Sequence, residues 1–209
     1  KVDALKTHKK GLMQQLFPRE GESQPRLRFP EFWGAGEWEE KRLEELCETI
    51  SSGKDKFSQD GAFDLYGSTG IIGRTNVDSF RGTYILIARV GANAGFLTKA
   101  TGEFGVTDNT LVIMLKKGQI IDLEFIFFYL HQIGLNKMIF GSGQPLITGG
   151  QLKALSIQLP TEREQQRIAD CLTSLDTLIT TATQELETLK THKKGLMQQL
   201  FPSAEAVEA

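Results

Sequence analysis

Leu5-Lys-Thr-His-Lys-Lys-Gly-Leu-Met-Gln-Gln-Leu-Phe-Pro18 recurs letter for letter as Leu189–Pro202. Fourteen identical residues, displaced by 184 positions (189 − 5), do not coincide by chance, and a repeat governs how the rest of a chain is read. The residues between the copies form one module carried between two pieces of the same element, as though cut from a tandem array.

The second copy closes a longer pattern. From Ile168, the positions Leu172, Leu175, Ile179, Ala182, Leu186, Leu189, Lys193, Leu196 and Leu200 follow at alternating steps of four and three. Lys193 alone interrupts the apolar seam, which is the heptad signature of a coiled coil. Pro160 precedes the helix, Thr161 with Glu164 has the spacing of a capping box, and Pro202 ends it near Phe201. Such a helix is roughly 60 Å long. An apolar stripe of that length needs a partner. Val2, Leu5, Lys9, Leu12 and Leu16 of the first copy match Leu186, Leu189, Lys193, Leu196 and Leu200, so residues 1–18 read as a stub of the same helix. The stub covers part of the seam. A second chain would cover the rest, which assigns Ile168, Leu172, Leu175, Ile179, Ala182, Leu186, Leu189, Leu196 and Leu200 to dimerisation; an intramolecular helical hairpin is the alternative.

The 209 residues suffice for one globular domain plus the helix. Net charge is −2, so no global basic signature marks a nucleic-acid binder, but residues 51–120 carry eight Lys or Arg against six acids. A neutral protein still binds DNA when its few cations share one face. Cys47 and Cys171 are too few for a disulfide framework and read as small buried hydrophobes. Without a signal peptide or an apolar run near 18 residues, no membrane association is expected and the cytoplasm is the expected compartment. The chain does not start with Met, so its N-terminus reads as trimmed, processed or designed.

Residues 19–28 form a polar linker. Trp38–Glu48 is expected to be an acidic helix burying Leu43, Leu46, Cys47 and Ile50. Phe29, Phe32, Trp33 and Trp38 form either a base-stacking platform or a hydrophobic plug. Ala62–Tyr66, Thr83–Arg89 and Thr110–Leu115 read as strands, separated by short glycine-bearing segments. Asp122–Gly134 reads as a buried helix and Leu135–Phe140 as a second short one. A short helix near Gln151 and a strand Leu155–Leu159 lead to the long helix. The class is therefore α+β: a target domain over 19–160, a coiled-coil helix over 161–202, and a disordered tail over 203–209.

Catalytic signatures fail on spacing. Gly67-Ser-Thr-Gly-Ile-Ile-Gly73 lacks the dinucleotide Gly-x-Gly-x-x-Gly arrangement, and Ser52-Gly-Lys-Asp55 lacks the residues that complete a P-loop. Asp108-Asn-Thr-Leu111 lacks the Asn-Pro-Pro-aromatic box of an amino-methyltransferase. His8, His131 and His192 stand at no ligand spacing, so no metal is expected. No nucleophile–base set is present, and the chain reads as non-enzymatic. The polar loop tips say more. Lys54, Lys56, Arg74, Arg81 and Arg89 lie beside small residues, with Ser68, Thr69, Asn76, Asn93, Ser142 and Gln144 as short-reach hydrogen bonders. Lys and Arg suit phosphates, and Arg, Asn and Gln suit base edges. Ordinary solvated turns are the bland alternative.

Several segments resemble the specificity subunits of type I restriction–modification systems. They are Leu27-Arg-Phe-Pro-Glu-Phe32 before Gly36-Glu-Trp-Glu-Glu-Lys-Arg-Leu-Glu-Glu-Leu46, then Ile85-Leu-Ile-Ala-Arg-Val-Gly-Ala-Asn-Ala-Gly95, and the run from Leu155 to Ile179. The closing Lys-Lys-Gly-Leu-Met-Gln-Gln-Leu-Phe-Pro is the most specific. The resemblance implies a target-recognition domain reading one half of a bipartite DNA site, with helices acting as a spacer. It implies a double-stranded DNA target, and partner methyltransferase subunits that carry S-adenosylmethionine, with a restriction subunit joining for cleavage. This chain itself would need no cofactor. With one recognition domain instead of two it looks like half a subunit, and two copies would rebuild the whole around a palindromic site. The competing class is an adaptor that presents a ligand-binding domain on a coiled coil and does not bind DNA.

Overall fold

A computed structural model describes residues 1–118, 120–139 and 145–200. Ser142, Gln144 and the tail after Pro202 lie outside the described residues.

The sheet is built around β5 (Phe80–Ala88). Its second half, Tyr84-Ile-Leu-Ile-Ala88, is apolar at every position, and successive side chains of a strand point to opposite faces. Ile85 and Ile87 enter one core while Leu86 enters another, so a continuous apolar run suits this interior strand. β5 lies between β6 (Leu97–Val106) and β7 (Thr110–Leu115) and is antiparallel to both. With β2 (Cys47–Ser52), β3 (Phe63–Gly67) and β4 (Gly70–Thr75), the sheet order is β2-β7-β5-β6-β3-β4. β3 and β6 run parallel.

The sheet curls. Beyond β2, the Gly53 N–H donates to Thr110 O at 3.2 Å and the Asp55 N–H donates to Val106 O at 2.9 Å. The Asp55 carboxylate in turn accepts from the Val106 N–H at 2.8 Å and the Ser79 hydroxyl at 2.7 Å. The end of β6 is thereby drawn against the chain leaving β2. Leu86, Ala100, Phe104, Val106 and Val112 are enclosed within the curl, with Tyr66, Phe80 and Tyr84 beside them. Gly53 is required here, because a Cβ would stand 1.9 Å from the Val106 carbonyl oxygen.

Helices cover the other face. α3 (Leu123–Ile133) starts where the Asp122 carboxylate accepts the Phe125 N–H at 2.7 Å, and it stops at Gly134, whose φ is 71°. α1 (Val2–Leu16) packs antiparallel on α5 (Glu162–Leu200), with Lys9 paired to Asp176 at 2.6 Å and Lys1 near Glu185 at 3.8 Å. Phe17 follows α1 into the core, its ring centroid 5.5 Å from those of both Phe125 and Tyr129. α4 (Gly149–Lys153) opens with a reciprocal cap between Thr148 and Gln151. β1 (Glu39–Arg42) pairs antiparallel with β8 (Ser156–Leu159), so the two ends of the globular part meet where α5 begins.

Three expectations are corrected. The helix expected over Trp38–Glu48 is instead β1, a single turn α2 (Leu43–Leu46), and β2. Leu43, Leu46, Cys47 and Ile50 are buried as expected, but a register shift between Cys47 and Thr49 is what puts Cys47 and Ile50 inside together. The Thr161–Glu164 box does not form, because the Glu164 carboxylate accepts two bonds from Arg28, each 2.7 Å. Leu135–Phe140 is replaced by a short 3-10 turn, Leu135–Met138. The aromatic cluster is a plug: Phe32 and Trp38 are buried and the Arg167 guanidinium lies 4.4 Å from the Phe29 ring centre. Trp33 is exposed, and its indole N–H donates to Arg28 O at 2.9 Å.

Candidate nucleic-acid interface

The turn from Thr107 to Asn109, joining β6 to β7, is where the polar tips meet. The Thr107 N–H donates to Tyr66 O at 3.0 Å, which brings in the β3–β4 hairpin carrying Ser68 and Thr69. The Arg89 N–H donates to Asn109 O at 2.9 Å, while the Ile147 N–H donates to Arg89 O at 2.8 Å. The Gly91 N–H donates to Pro145 O at 3.0 Å, fixing the single turn Gly91–Asn93 beside it. On the far side, Gly53 and Asp55 hold Lys54 and Lys56 through the bonds that curl the sheet. Segments 53–56, 66–69, 89–93, 107–109 and 145–147 thus converge through backbone hydrogen bonds, which position side chains better than free loops can.

The charge on this face is positive. Lys54 and Lys56 are exposed, Arg89 is half-buried, and none has a carboxylate partner among the described residues. The Arg89 Nε is buried with no hydrogen-bond acceptor among the described residues. Asn93, Thr69, Asp108 and Asn109 are exposed around these cations, and Ser68 is half-buried. The sequence reading passed over Asp108 and Asn109; a two-residue polar turn between two strands was the only signal for them.

Arg74, Asn76 and Arg81 serve the fold instead. Arg74 pairs with Asp64 and donates to the carbonyls of Gly61 and Ala62, tying the 57–62 loop to β4. Asn76 donates to the Ser58 hydroxyl at 2.9 Å. Arg81 pairs with Asp78 and with Glu103 at 3.2 Å. A guanidinium already held between two carboxylates is a poor phosphate ligand.

Nothing on this face is arranged for catalysis. Burial pushes the Cys47 thiol up to about 12, far from a reactive thiolate. Among the described residues no group of three or more His, Cys, Asp or Glu could hold a metal ion, and no described helix is long and apolar enough to cross a membrane.

The long seam divides in two. Ile168, Leu172 and Ala182 are buried within the chain's own fold, and Leu175 packs partly buried against its core. Ile179 is half-buried. α1 and α3 cover this stretch, so Ile168, Leu172, Leu175 and Ala182 are occupied inside one molecule and are not free for a partner. Leu186, Leu189, Leu196 and Leu200 lie beyond the start of α1 and are exposed.

A curled sheet with converging polar loops, carried on an antiparallel helical rod, is the design of a recognition module. Residues 35–191 match the family model described as type I restriction modification DNA specificity domain, and the chain belongs to that family. It is 30% identical over 122 residues to the type I restriction enzyme EcoprrI specificity subunit of Escherichia coli, covering 58% of this chain and 30% of that protein. It is 33% identical over 119 residues to the MjaVIII specificity subunit of Methanocaldococcus jannaschii, covering 56% of this chain and 28% of that one. The fold is similar to that of a type I restriction–modification S subunit from M. genitalium, with a TM-score of 0.64 at 21% identity over 81% of this chain and 47% of that one. The chain spans under a third of the curated relatives and about half of the structural neighbour.

Proposed function

We propose that this chain reads one half-site of a duplex DNA target through the face around Thr107–Asn109. Lys54 and Lys56 take phosphates, while Arg89, Asn93 and Asn109 lie closest to base edges, where Arg and Asn make bidentate contacts. Two copies pair through the exposed part of α5 to present two reading faces. The pair holds methyltransferase subunits, which carry S-adenosylmethionine and modify adenine, and a restriction subunit joins for cleavage. The chain supplies recognition and no chemistry, and works in the cytoplasm.

The observation carrying this reading is the gathering of unpaired cations with exposed amide side chains on one rigid face. Phosphate contacts release counterions, so affinity for duplex must fall steeply between about 50 and 200 mM salt. Titration of labelled duplex across that range tests it, and salt-indifferent binding or no binding would favour the adaptor class. The base sequence read would emerge from methylome sequencing of cells expressing the chain with its methyltransferase partner.

A further inference from the structure

We infer that the two copies of the repeated sequence are rival occupants of one seat: residues 189–200 of one chain dock on α3 and α5 of a second copy, where α1 otherwise sits. The inference rests on the dimer reading above and specifies its geometry.

The seat is defined by what it does to α1. Lys9 reaches both carboxylate oxygens of Asp176 at 2.6 Å and lies 4.8 Å from the centre of the Phe128 ring. Met13 is 4% exposed and Leu16 is 1% exposed, both within the main core. A surface that recognises this sequence recognises its duplicate equally, because the residues presented are the same. In the duplicate, Lys193, Met197 and Leu200 occupy these positions. There Met197 is 52% exposed and Leu200 is 70% exposed.

The duplicate cannot use its own seat. Lys193 and Asp176 lie on the same unbroken helix, 17 residues apart (193 − 176), which is about 26 Å of rise. Only another molecule can bring a seat to residues 189–200, and a second copy of this chain carries one. Reciprocal exchange closes the arrangement with two-fold symmetry: each α5 runs antiparallel to the other and gives its end to the partner's seat. Because α1 already fills that seat, it must leave before two chains pair. The self-docked stub therefore opposes dimerisation.

Cross-linking of the full chain tests this, with Cys171→Ser removing the partly exposed native thiol. The double variant Asp176→Cys/Lys193→Cys, treated with a short bis-maleimide, is expected to give covalent dimers well above either single variant, since the two positions are too distant to be bridged within one helix. The double variant Lys9→Cys/Asp176→Cys, cross-linked within the monomer, locks α1 in place and is expected to sediment as a monomer where the untreated chain dimerises. A locked chain that still dimerises overturns the shared seat while leaving helix pairing intact, the more so if Lys193→Cys alone cross-links fully to its own equivalent. Monomers in every sample, untreated chain included, overturn both the seat and the dimer.

Discussion

Glu164 is a fully buried carboxylate on the first turn of α5, and its two bonds from Arg28 hold the linker against the helix. The remaining Arg28 donors go to the carbonyls of Ala35 and Gly36 at 3.0 and 3.1 Å, so the guanidinium is satisfied on every side. The hydrogen bonds from Glu164 raise the Arg28 pKa further, leaving the pair charged throughout the accessible range. Removing one partner strands the other charge out of water, which costs about 3–5 kcal/mol. Glu164→Ala should therefore lower the urea midpoint by that equivalent, and Glu164→Gln by less, since the amide oxygen still accepts one N–H. Lys54→Ala and Lys56→Ala sit at the opposite extreme, on exposed side chains with no partner to lose. Each should leave the midpoint unchanged, weaken duplex binding uniformly across sequences, and lower the salt slope by about one. Arg89→Ala should instead relax base preference at one position, at about 1–3 kcal/mol; equal losses on all duplexes would place Arg89 on the phosphates.

At the scale of elements, the two halves of α5 should respond differently to the same kind of change. Leu172→Ala empties a site inside the core and should cost about 2–5 kcal/mol in thermal or chemical unfolding. Leu189→Lys alters an exposed position and should leave monomer stability within about 0.5 kcal/mol, while shifting sedimentation from dimer to monomer. Both residues lie on one unbroken heptad seam, and periodicity alone assigned them one role. What separates them is the docking of α1 and α3, a tertiary fact. The same limit explains the elements that sequence patterning passed over. β1 is Glu-Glu-Lys-Arg, with no strand propensity, and exists because β8 pairs with it. The spacing of Leu43, Leu46, Cys47 and Ile50 mimics a helix because a bulge in β2 shifts the alternation by one. β4 and β6 carry glycines and polar residues that read as turns. By contrast α3, β7 and α5 are legible, each being a long run of one period with a cap or a proline at its end. Within the candidate site, the tips themselves were legible but their grouping was not. Arg74 and Arg81 resembled Lys54 and Arg89 until Asp64, Asp78 and Glu103 were found beside them.

At the scale of the whole molecule, the rod sets the form of the target. α5 is 39 residues long, about 58 Å at 1.5 Å per residue. Two chains pairing antiparallel along it would hold identical reading faces at opposite ends, related by a two-fold axis. Identical faces read identical half-sites, and a two-fold axis inverts one relative to the other, so the DNA recovered must be an inverted repeat. At about 3.4 Å per base pair, a 58 Å rod corresponds to half-site centres on the order of 17 base pairs apart. Selection from random duplexes by the full chain with its methyltransferase subunits should recover such an interrupted palindrome. Leu189→Lys should retain the half-site preference while losing the requirement for the second half-site. A single asymmetric site recovered by the unaltered chain would mean that one reading face acts alone and that the rod spaces nothing.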